Sequence, residues 1–248
     1  MAIHLKKFET MSQYNTYTAD TENFILPNVS LTVDNNTVHY NPSSPTPPTP
    51  SHDFVEIGGI KWATMNVGAN SVTDTGLYFQ WGDTQGYTAA QVGEGEGYKY
   101  FGEYDCIYYN DGSYTKYNEG DSLNTLESTD DAVKAAWGGQ WRMPTTAEFQ
   151  ALGTVTTSAW TSSYEGSGVA GLVLTDKTDS SKVLFFPACG YCGDGSVYDV
   201  GSRGFYWSSS LSSSDVQYAY YLAFNDGDVY WQDNDNRYYG YPVRGVVG

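Results

Sequence analysis

Short apolar runs separated by Gly, Asn, Asp and Ser follow one another from residue 54 to the end of the chain, and this pattern predicts β-strands joined by polar loops. The runs are FVEIGGIKWATMNVGA, GLYFQWGDT, KVLFFPA, FYWSSS, AYYLAF and GYPVRGVV. In AYYLAF, the pattern assigns Ala219, Leu222 and Phe224 to the core and turns Tyr221 and Ala223 to the opposite, outward face. We therefore predict an α+β domain in which strands predominate.

Two short helices are predicted inside this domain. One comprises AVKAAW, directly after the polar run STDD. The other is capped by Thr145, and Glu148 three residues later completes a capping box. Phe149 and Leu152 fall on its buried side, and Gly153 is predicted to end it.

Residues 1–41 are predicted to form a small separate module. The segment VSLTVDNNTVHY has two β-rich runs around Asp34, Asn35 and Asn36, and these residue types tolerate the positive φ of a hairpin turn. A lone hairpin is marginally stable in water, so we expect the module to rest on its own copies or on a host structure.

A proline-rich segment, residues 42–52, separates this module from the main domain. It holds five of the nine prolines of the chain, all between Pro42 and Pro50. Such a composition favours polyproline II and predicts a semi-rigid spacer of about 30 Å. The main domain then comprises residues 53–248.

The segment from Gln217 to Tyr241, QYAYYLAFNDGDVYWQDNDNRYYGY, holds seven of the 23 tyrosines of the chain. Phenols and carboxylates are costly in a core because each buried polar group needs its own partner. Tyr and Asp instead supply rigid contact area and directional hydrogen bonds, as in antibody loops. The segment therefore predicts a binding surface, and a solvated strand with polar loops is the structural alternative.

The charge balance limits the possible partners. Asp and Glu outnumber Lys and Arg by 29 to 12, which gives a net charge of −17. A chain this acidic repels phosphate backbones and anionic lipid, so we expect no nucleic-acid partner. The sequence has no apolar run long enough to cross a bilayer, so we expect no membrane insertion. It has no signal-peptide pattern at its start, so we expect it to be synthesised in a host cytoplasm.

Candidate catalytic residues are few. The three histidines, His4, His39 and His52, all precede the main domain, which excludes histidine-based triads and HExxH zinc sites from it. Cys189 and Cys192 have C-x-x-C spacing, but they lack the helix of a redox motif and the further ligands of a zinc site. Carboxylates are numerous enough to leave a glycosidase pair open, although exposed loop residues explain them more simply.

Calcium is the remaining metal to consider. The acidic run NDGDVYWQDNDN could gather oxygen ligands, yet it lacks the ordered D-x-D-x-D-G spacing of a calcium loop. We expect no metal, no cofactor and no catalytic activity.

Several motifs, in this order, resemble those of gut-bacterial and phage proteins with the C-type lectin fold. They are VEIGGIKWATMNVGA, GLYFQWGDT, WGGQWRMPTTAEFQAL, FFPACGY, GFYWSSS, AYYLAF and NDNRYYGYPVRGV. The group is similar to the formylglycine-generating-enzyme branch of the fold. It contains the variable proteins of diversity-generating retroelements, relatives of a phage tropism determinant. The resemblance implies a C-type-lectin-fold domain from about Phe54 to the C-terminus, with a variable region at about 205–248.

The resemblance also implies which positions are diversified, because retroelements of this kind mainly alter Asn codons to those of Tyr, Asp, Ser, Ala, Gly or His. The implied ligand-binding positions are Ser213, Asp215, Tyr218, Tyr221, Ala223, Asp226, Asp228, Tyr230, Asp233, Asp235, Tyr238 and Tyr239. We expect their side chains to be exposed on one continuous face, with Leu222, Phe224 and Val229 buried. Arg142, Arg237 and Arg244 are expected to pair with carboxylates and to hold the surrounding loops.

The resemblance favours a receptor-binding protein of a phage or prophage virion. It would contact a host-cell surface protein or glycan through the variable region and other virion proteins through residues 1–41, with a homotrimer as a possible assembly. A carbohydrate-binding adhesin of a gut bacterium, with or without calcium, is the alternative. An oxidase of the formylglycine-generating type is a further one.

Overall fold

The computed structural model describes the backbone of residues 30–34 and 37–41 and the whole of residues 52–248. The chain divides into two compact units, Met1–Pro50 and Ser51–Gly248. In the first unit, β1 (Ser30–Asp34) pairs antiparallel with β2 (Thr37–Asn41). The predicted hairpin is present. The remaining predictions for residues 1–51, including the proline spacer, lie outside the described residues.

The second unit is rich in strands and has two α-helices, as predicted. Three 3-10 turns, Ala89–Gln91, Glu103–Asp105 and Tyr164–Gly166, interrupt its loops. The helices are α1 (Ala132–Trp137) and α2 (Thr146–Val155). The strands are β3 (Phe54–Ile57), β4 (Ile60–Asn66), β5 (Tyr109–Asn110), β6 (Ser113–Tyr114), β7 (Thr156–Thr161), β8 (Gly171–Asp176), β9 (Val183–Pro187), β10 (Tyr191–Gly193), β11 (Ser196–Tyr198), β12 (Arg203–Leu211), β13 (Tyr218–Asn225), β14 (Val229–Asn236) and β15 (Arg244–Val247).

The strands form three-stranded antiparallel sheets and small hairpins. The sheet orders are β15-β4-β3, β7-β8-β9 and β12-β13-β14, and the hairpins are β5-β6 and β10-β11. Val246 of the last strand lies opposite Trp62 of β4, so the two ends of the unit meet in one sheet. No helix among the described residues has the length and apolar character that a bilayer crossing needs.

Helix α2 begins as its sequence predicts. The Thr145 hydroxyl accepts a hydrogen bond from the Glu148 amide, and the Glu148 carboxylate accepts one from the Thr145 amide. The predicted stop at Gly153 is wrong, because the helix continues to Val155. Gly153 instead allows the Trp231 ring of β14 to approach, since a Cβ at this position would lie 2.4 Å from that ring.

Replacing Gly153 with Ala tests this contact. An Ala in the interior of a helix normally stabilises it by about 0.5–1 kcal/mol relative to Gly. Here we expect Gly153→Ala to lower the free energy of unfolding by about 1–3 kcal/mol, because the new methyl group overlaps the Trp231 ring. Chemical denaturation of the Gly153→Ala and Trp231→Leu variants and of the double variant measures the coupling. Equal losses from Gly153→Ala with and without Trp231 would contradict this explanation.

The sheet β12-β13-β14 has a hydrophobic cluster on each side. On one side Leu222 and Phe224 pack into a cluster with Tyr206, Phe149 and other buried residues. On the other side Tyr221 and Ala223 join Trp207, Tyr241 and further buried rings in a second cluster. Strand β13 is therefore covered on both faces, and on this part of the domain the exposed side chains belong to elements beside it, such as β14.

Arg244 is fully buried and links β15 to β4 and β9. Its guanidinium donates hydrogen bonds to Asn66 Oδ1 at 2.9 Å, to the Ala63 carbonyl at 2.9 Å and to the Phe185 carbonyl at 3.0 Å. The guanidinium carbon also lies 4.5 Å from the centroid of the Phe186 ring. The acceptors are one amide and two carbonyls, so the expected carboxylate pairing is wrong for this residue.

Arg237 has a similar role at the end of β14. Its Nη1 donates to the carbonyls of Tyr117 and Val216, both at 3.1 Å, and its Nη2 donates to that of Lys116 at 3.2 Å. The Tyr114 ring stacks over the guanidinium at 4.1 Å. These hydrogen bonds fix the loops at residues 116–117 and 216 against the end of β14, and no carboxylate takes part.

Arg142 differs from these two, because it does form the expected ion pair. Its Nη1 and Nη2 donate to the two oxygens of Glu148, at 2.8 and 2.6 Å. This bidentate pair joins the segment before α2 to the first turn of that helix.

Candidate functional site

Six Tyr and Asp side chains lie on the side of the β12-β13-β14 sheet that carries Tyr221. We call them the tyrosine face: Tyr191, Tyr198, Tyr230, Asp233, Tyr238 and Tyr239. Asp233 lies opposite Tyr221 and Tyr230 lies opposite Ala223, so both β14 side chains project to the same side as their β13 partners. Tyr230 is 48% exposed and Tyr198 is 41% exposed, and the other four are half-buried.

Aromatic contacts connect this face. The Tyr191 ring stacks on Tyr198 at 5.2 Å and meets Phe205 and Tyr239 edge-on, at 5.2 and 5.6 Å. Tyr239 in turn contacts Tyr238 at 4.7 Å. The rings of Tyr191, Tyr198, Tyr238 and Tyr239 are therefore each held by a neighbouring ring, which limits their motion.

Glycine allows the closest of these approaches. A Cβ at Gly193 of β10 would lie 2.7 Å from the Tyr239 ring, so only Gly permits this ring to lie over the hairpin. The same hairpin turns through Asp194 and Gly195, whose φ values of 46° and 70° suit a two-residue type I′ turn. The β10-β11 hairpin is in this way fitted against the segment after β14.

The polar groups of the face combine hydrogen-bond donors with acceptors. Desolvation raises the pKa of Tyr191 and that of Tyr239, so both phenols remain protonated donors at neutral pH. Tyr241 donates from its buried hydroxyl to Asp235 Oδ2 at 2.8 Å, and burial raises the pKa of this Asp235 carboxyl. Asp233, beside Tyr221, is the carboxylate acceptor on the open part of the face.

The structure distributes the twelve implied positions over four places, so the single continuous face is only partly realised. Asp233, Asp235, Tyr239 and Tyr230 surround Tyr221 and Ala223. Asp226 and Asp228 are exposed at the β13-β14 turn, at the other end of the strands from Asp215. Tyr238 and Asp215 line a groove described below, with Tyr218 half-buried on the nearby start of β13. Ser213 is exposed and its hydroxyl bonds the Tyr220 hydroxyl at 2.8 Å.

The predicted exposure of Tyr221 and Ala223 is wrong, because their side chains are only 6% and 4% exposed. The alternation of β13 does put both on the face opposite Leu222, but Tyr239 to Tyr241 covers that face. Ala219 also belongs to the Tyr221 side rather than to the side of Leu222 and Phe224. The predicted burial of Leu222 and Phe224 is confirmed, whereas Val229 is half-buried at the sheet edge.

Two matched Tyr→Ser variants separate supporting from presented tyrosines. Tyr221→Ser removes a buried ring that contacts Trp207, Phe205 and Tyr241, and we expect it to cost about 3 kcal/mol of unfolding free energy. Tyr230→Ser removes an exposed ring and should change stability by no more than about 0.5 kcal/mol. Urea denaturation compares the two, and equal losses would contradict the division.

An open groove of about 500 Å³ adjoins the tyrosine face at Tyr238. We call it the polar groove. The β5-β6 hairpin, the loop at residues 118–120, the loop before β13 and the end of β14 line it. Its walls carry the carboxylates of Glu103, Glu119 and Asp215 and the phenol rings of Tyr109, Tyr114 and Tyr238.

The cysteines are arranged as buried thiols. Cys106, Cys189 and Cys192 are all free and buried. Burial raises the pKa of Cys106 to about 11 and also raises the pKa values of Cys189 and Cys192, so the nucleophilic thiolate is disfavoured at neutral pH. Cys189 lies within 3.4 Å of the Tyr206 hydroxyl, inside the core.

The geometry also bears on metal binding. Within residues 52–248, no three or more His, Cys, Asp or Glu side chains come together in a group that could hold a metal ion, and this includes the acidic residues of β14. His52 stacks on Trp137 at 4.0 Å. His4 and the side chain of His39 lie outside the described residues.

Sequence reasoning missed Tyr191 and Tyr198, which are central to the tyrosine face. The segment YCGDGSVY contains the signal that could have found them, since Asp-Gly between β-prone residues predicts a tight hairpin. Tyr191 and Tyr198 are directly opposite each other across that hairpin.

The model of the Lcl C-terminal domain family matches residues 59–244, three quarters of the chain. The chain belongs to this family. The Lcl C-terminal domain has the C-type lectin fold and is linked to phage tropism and retroelement variable proteins. The strand-rich architecture with few helices is consistent with that fold. Comparisons with curated proteins and with solved structures give no significant match.

The matched range of the Lcl C-terminal domain includes the whole candidate site. It begins within the β3-β4 turn and ends at Arg244, so it contains β10-β11, the sheet β12-β13-β14 and the polar groove. The Lcl C-terminal domain thus carries a ligand-binding type of fold, and the candidate site belongs to the domain itself rather than to residues 1–50.

Proposed function

We propose that this Lcl C-terminal domain is a receptor-binding module of a phage or prophage virion, diversified by a retroelement, and that the tyrosine face contacts a ligand on the host-cell surface. The observation that carries the proposal is the tyrosine face itself. Tyr198 and Tyr239 pack against Tyr191, and Tyr191 packs against the buried Phe205. The face combines the protonated phenols of Tyr191 and Tyr239 with the carboxylate of Asp233. Rigid aromatic groups with polar tips give large contact area at a small entropy cost.

The supporting residues fit the same proposal. Arg237, Arg244, Trp207 and Tyr241 are fully buried and hold the frame, while Tyr230, Asp226 and Asp228 reach solvent. A display protein needs this separation, because its surface residues must change without loss of the fold. The exposed positions among the twelve implied ones are the ones that we propose for diversification.

The remaining parts of the proposal concern assembly and chemistry. We propose that the unit of residues 1–50 attaches the domain, as a homotrimer, to other virion proteins, and that the domain acts by binding and not by catalysis. The separate β1-β2 hairpin supports an attachment role, since a two-stranded hairpin needs a surface to rest on.

Binding to intact host cells tests the tyrosine face. The labelled full chain is titrated onto cells of candidate gut-bacterial hosts, and the Tyr230→Ser/Tyr239→Ser double variant is compared with it. Loss of one aromatic anchor typically costs about 2 kcal/mol, so we expect binding to weaken by about 30-fold or more. Phe54→Ser is the matched control, because Phe54 is an exposed ring on β3 in another sheet.

The comparison between the double variant and the Phe54→Ser control decides whether the tyrosine face is the contact site. Retained binding by the double variant, with thermal unfolding unchanged, would contradict the tyrosine face as the contact site. The gene sequence tests diversification separately: we expect a nearby reverse-transcriptase gene and a near-copy of the 3′ end with AAC codons at positions of Tyr and Asp. A source genome without that copy would remove diversification and leave the binding result intact.

A further inference from the structure

We infer that the polar groove binds a cationic side chain, a guanidinium or an ammonium group, of a protein ligand. The inference deepens the proposed function by naming the chemistry of the partner, and it rests on that function only for the statement that the cation belongs to a protein. Tyr238 lines the groove and also belongs to the tyrosine face, so a ligand on the face can place a side chain in the groove.

The first argument is charge. The lining residues include three carboxylates, those of Glu103, Glu119 and Asp215, and no Lys, Arg or His. Within the described residues none of these three carboxylates forms an ion pair, although five ion pairs occur elsewhere in residues 52–248. The buried Arg237 guanidinium lies 4.1 Å from the Tyr114 ring and directs its Nη atoms to carbonyls, so it pairs with none of these carboxylates. The groove therefore has an excess of negative charge that a ligand can complement.

The second argument is the orientation of the carboxylates. The Tyr109 hydroxyl donates to Glu103 Oε1 at 2.8 Å, which holds that side chain at the groove wall. The backbone and side-chain nitrogens of Gln217 each donate to one oxygen of Asp215, both at 2.9 Å. A carboxylate oxygen can accept more than one hydrogen bond, so both groups keep acceptor capacity for a ligand.

The third argument is the aromatic lining. Phenol rings attract a cation through their faces, and Arg does so more often than Lys. The protein already uses this contact at the same wall, where the Arg237 guanidinium lies 4.1 Å from the Tyr114 ring. The tyrosine rings of the groove thus add stacking surface to the carboxylates, which is the combination that a guanidinium prefers.

A neutral sugar is the rival occupant, since rings and carboxylates also bind hydroxyl groups. The absence of any basic residue among the groove-lining residues described here favours the cation, because a neutral sugar leaves the three carboxylates uncompensated. The size of the groove, about 500 Å³, lies in the usual range of about 300–1,000 Å³ for small-ligand sites and exceeds the needs of one side chain, so neighbouring backbone of the ligand can enter as well.

Peptide titration of the full-length, ¹⁵N-labelled chain by NMR tests the inference without the natural partner. The probe is acetyl-Gly-Arg-Gly-amide, and the matched neutral control is the same peptide with citrulline in place of Arg. We expect saturable millimolar binding with shift changes at residues 109–120 and 215–217, about 5-fold or more weaker binding of the citrulline peptide, and weakening by salt. Maltotriose serves as the neutral sugar.

Matched variants locate the site. Glu119→Gln/Asp215→Asn removes two negative charges from the groove and should weaken binding of the Arg peptide about 5-fold or more. Glu56→Gln/Glu165→Gln removes two exposed charges outside the groove and should leave it unchanged. Equal effects of the two variants, equal binding of the Arg and citrulline peptides, no saturable binding, or groove shifts with maltotriose alone would each overturn the inference. The cell-binding result for the tyrosine face is independent of all of these.

Discussion

Arg244→Ala is expected to lower the free energy of unfolding by about 3–5 kcal/mol. The change leaves a cavity and deprives three buried acceptors of their donors, namely Asn66 Oδ1 and the carbonyls of Ala63 and Phe185. It also removes the stacking of the guanidinium on Phe186. Denaturation in urea measures the loss at constant m value.

Two further variants decide the cause. Arg244→Lys keeps the charge but cannot reproduce a fork that reaches three acceptors, so we expect it to recover only part of the loss. Arg203→Ala is the matched control, because this arginine is half exposed and pairs with Asp199 at 3.6 Å, and it should cost no more than about 1 kcal/mol. A loss from Arg244→Ala as small as that from Arg203→Ala would refute the role of Arg244 as an internal tie.

Trp207→Ala should cost a comparable amount, about 3–5 kcal/mol, because the Trp207 ring is fully buried in the cluster below the tyrosine face. The ring stacks on Tyr241 at 4.1 Å, and its Nε1 donates to the Phe79 carbonyl at 2.9 Å. The substitution should also loosen the tyrosine face, since Tyr241 supports Tyr239 and Tyr191.

Trp207→Phe keeps most of the ring and loses the hydrogen bond, so an intermediate loss is expected. Tyr198→Ala, at an exposed ring of the same face, is the control and should have little effect on stability. Thermal unfolding measures the stability of the domain, and near-UV circular dichroism measures how firmly the aromatic rings of the tyrosine face are packed. An unchanged melting temperature of the Trp207→Ala variant would contradict the role of the Trp207 ring as a buried support of the tyrosine face.

The parts of the fold that depend on local signals could be predicted from the sequence. The start of α2 is an example, because Thr145 and Glu148 are three residues apart and bond each other. The end of α2 could not be predicted, because the reason for Gly153 is Trp231, which lies far along the chain in β14. Glycine is typical both of a helix end and of a position where another side chain packs closely, so the residue type alone does not distinguish the two.

The candidate site shows the same limit. Alternation along β13 predicted that Tyr221 and Leu222 face opposite ways, and they do. It could not show that both directions lead into packed clusters, because the rings that cover Tyr221 come from β12 and the segment after β14. The carbonyl partners of Arg237 and Arg244 were equally out of reach, since most of them lie more than a hundred residues away in sequence.

The burial of β13 on both faces has a consequence for how such a surface can evolve. Random replacement at Tyr230, Asp226 or Asp228 meets only the requirement set by the ligand, because their side chains reach solvent. A residue that replaces Tyr221 or Ala223 must also fit the packed space beside Phe205, Trp207 and Tyr241. Under the proposed diversification, we expect variation to be retained at the strand edge and the turn, and we expect Tyr221 and Ala223 to vary only among residues of matching size.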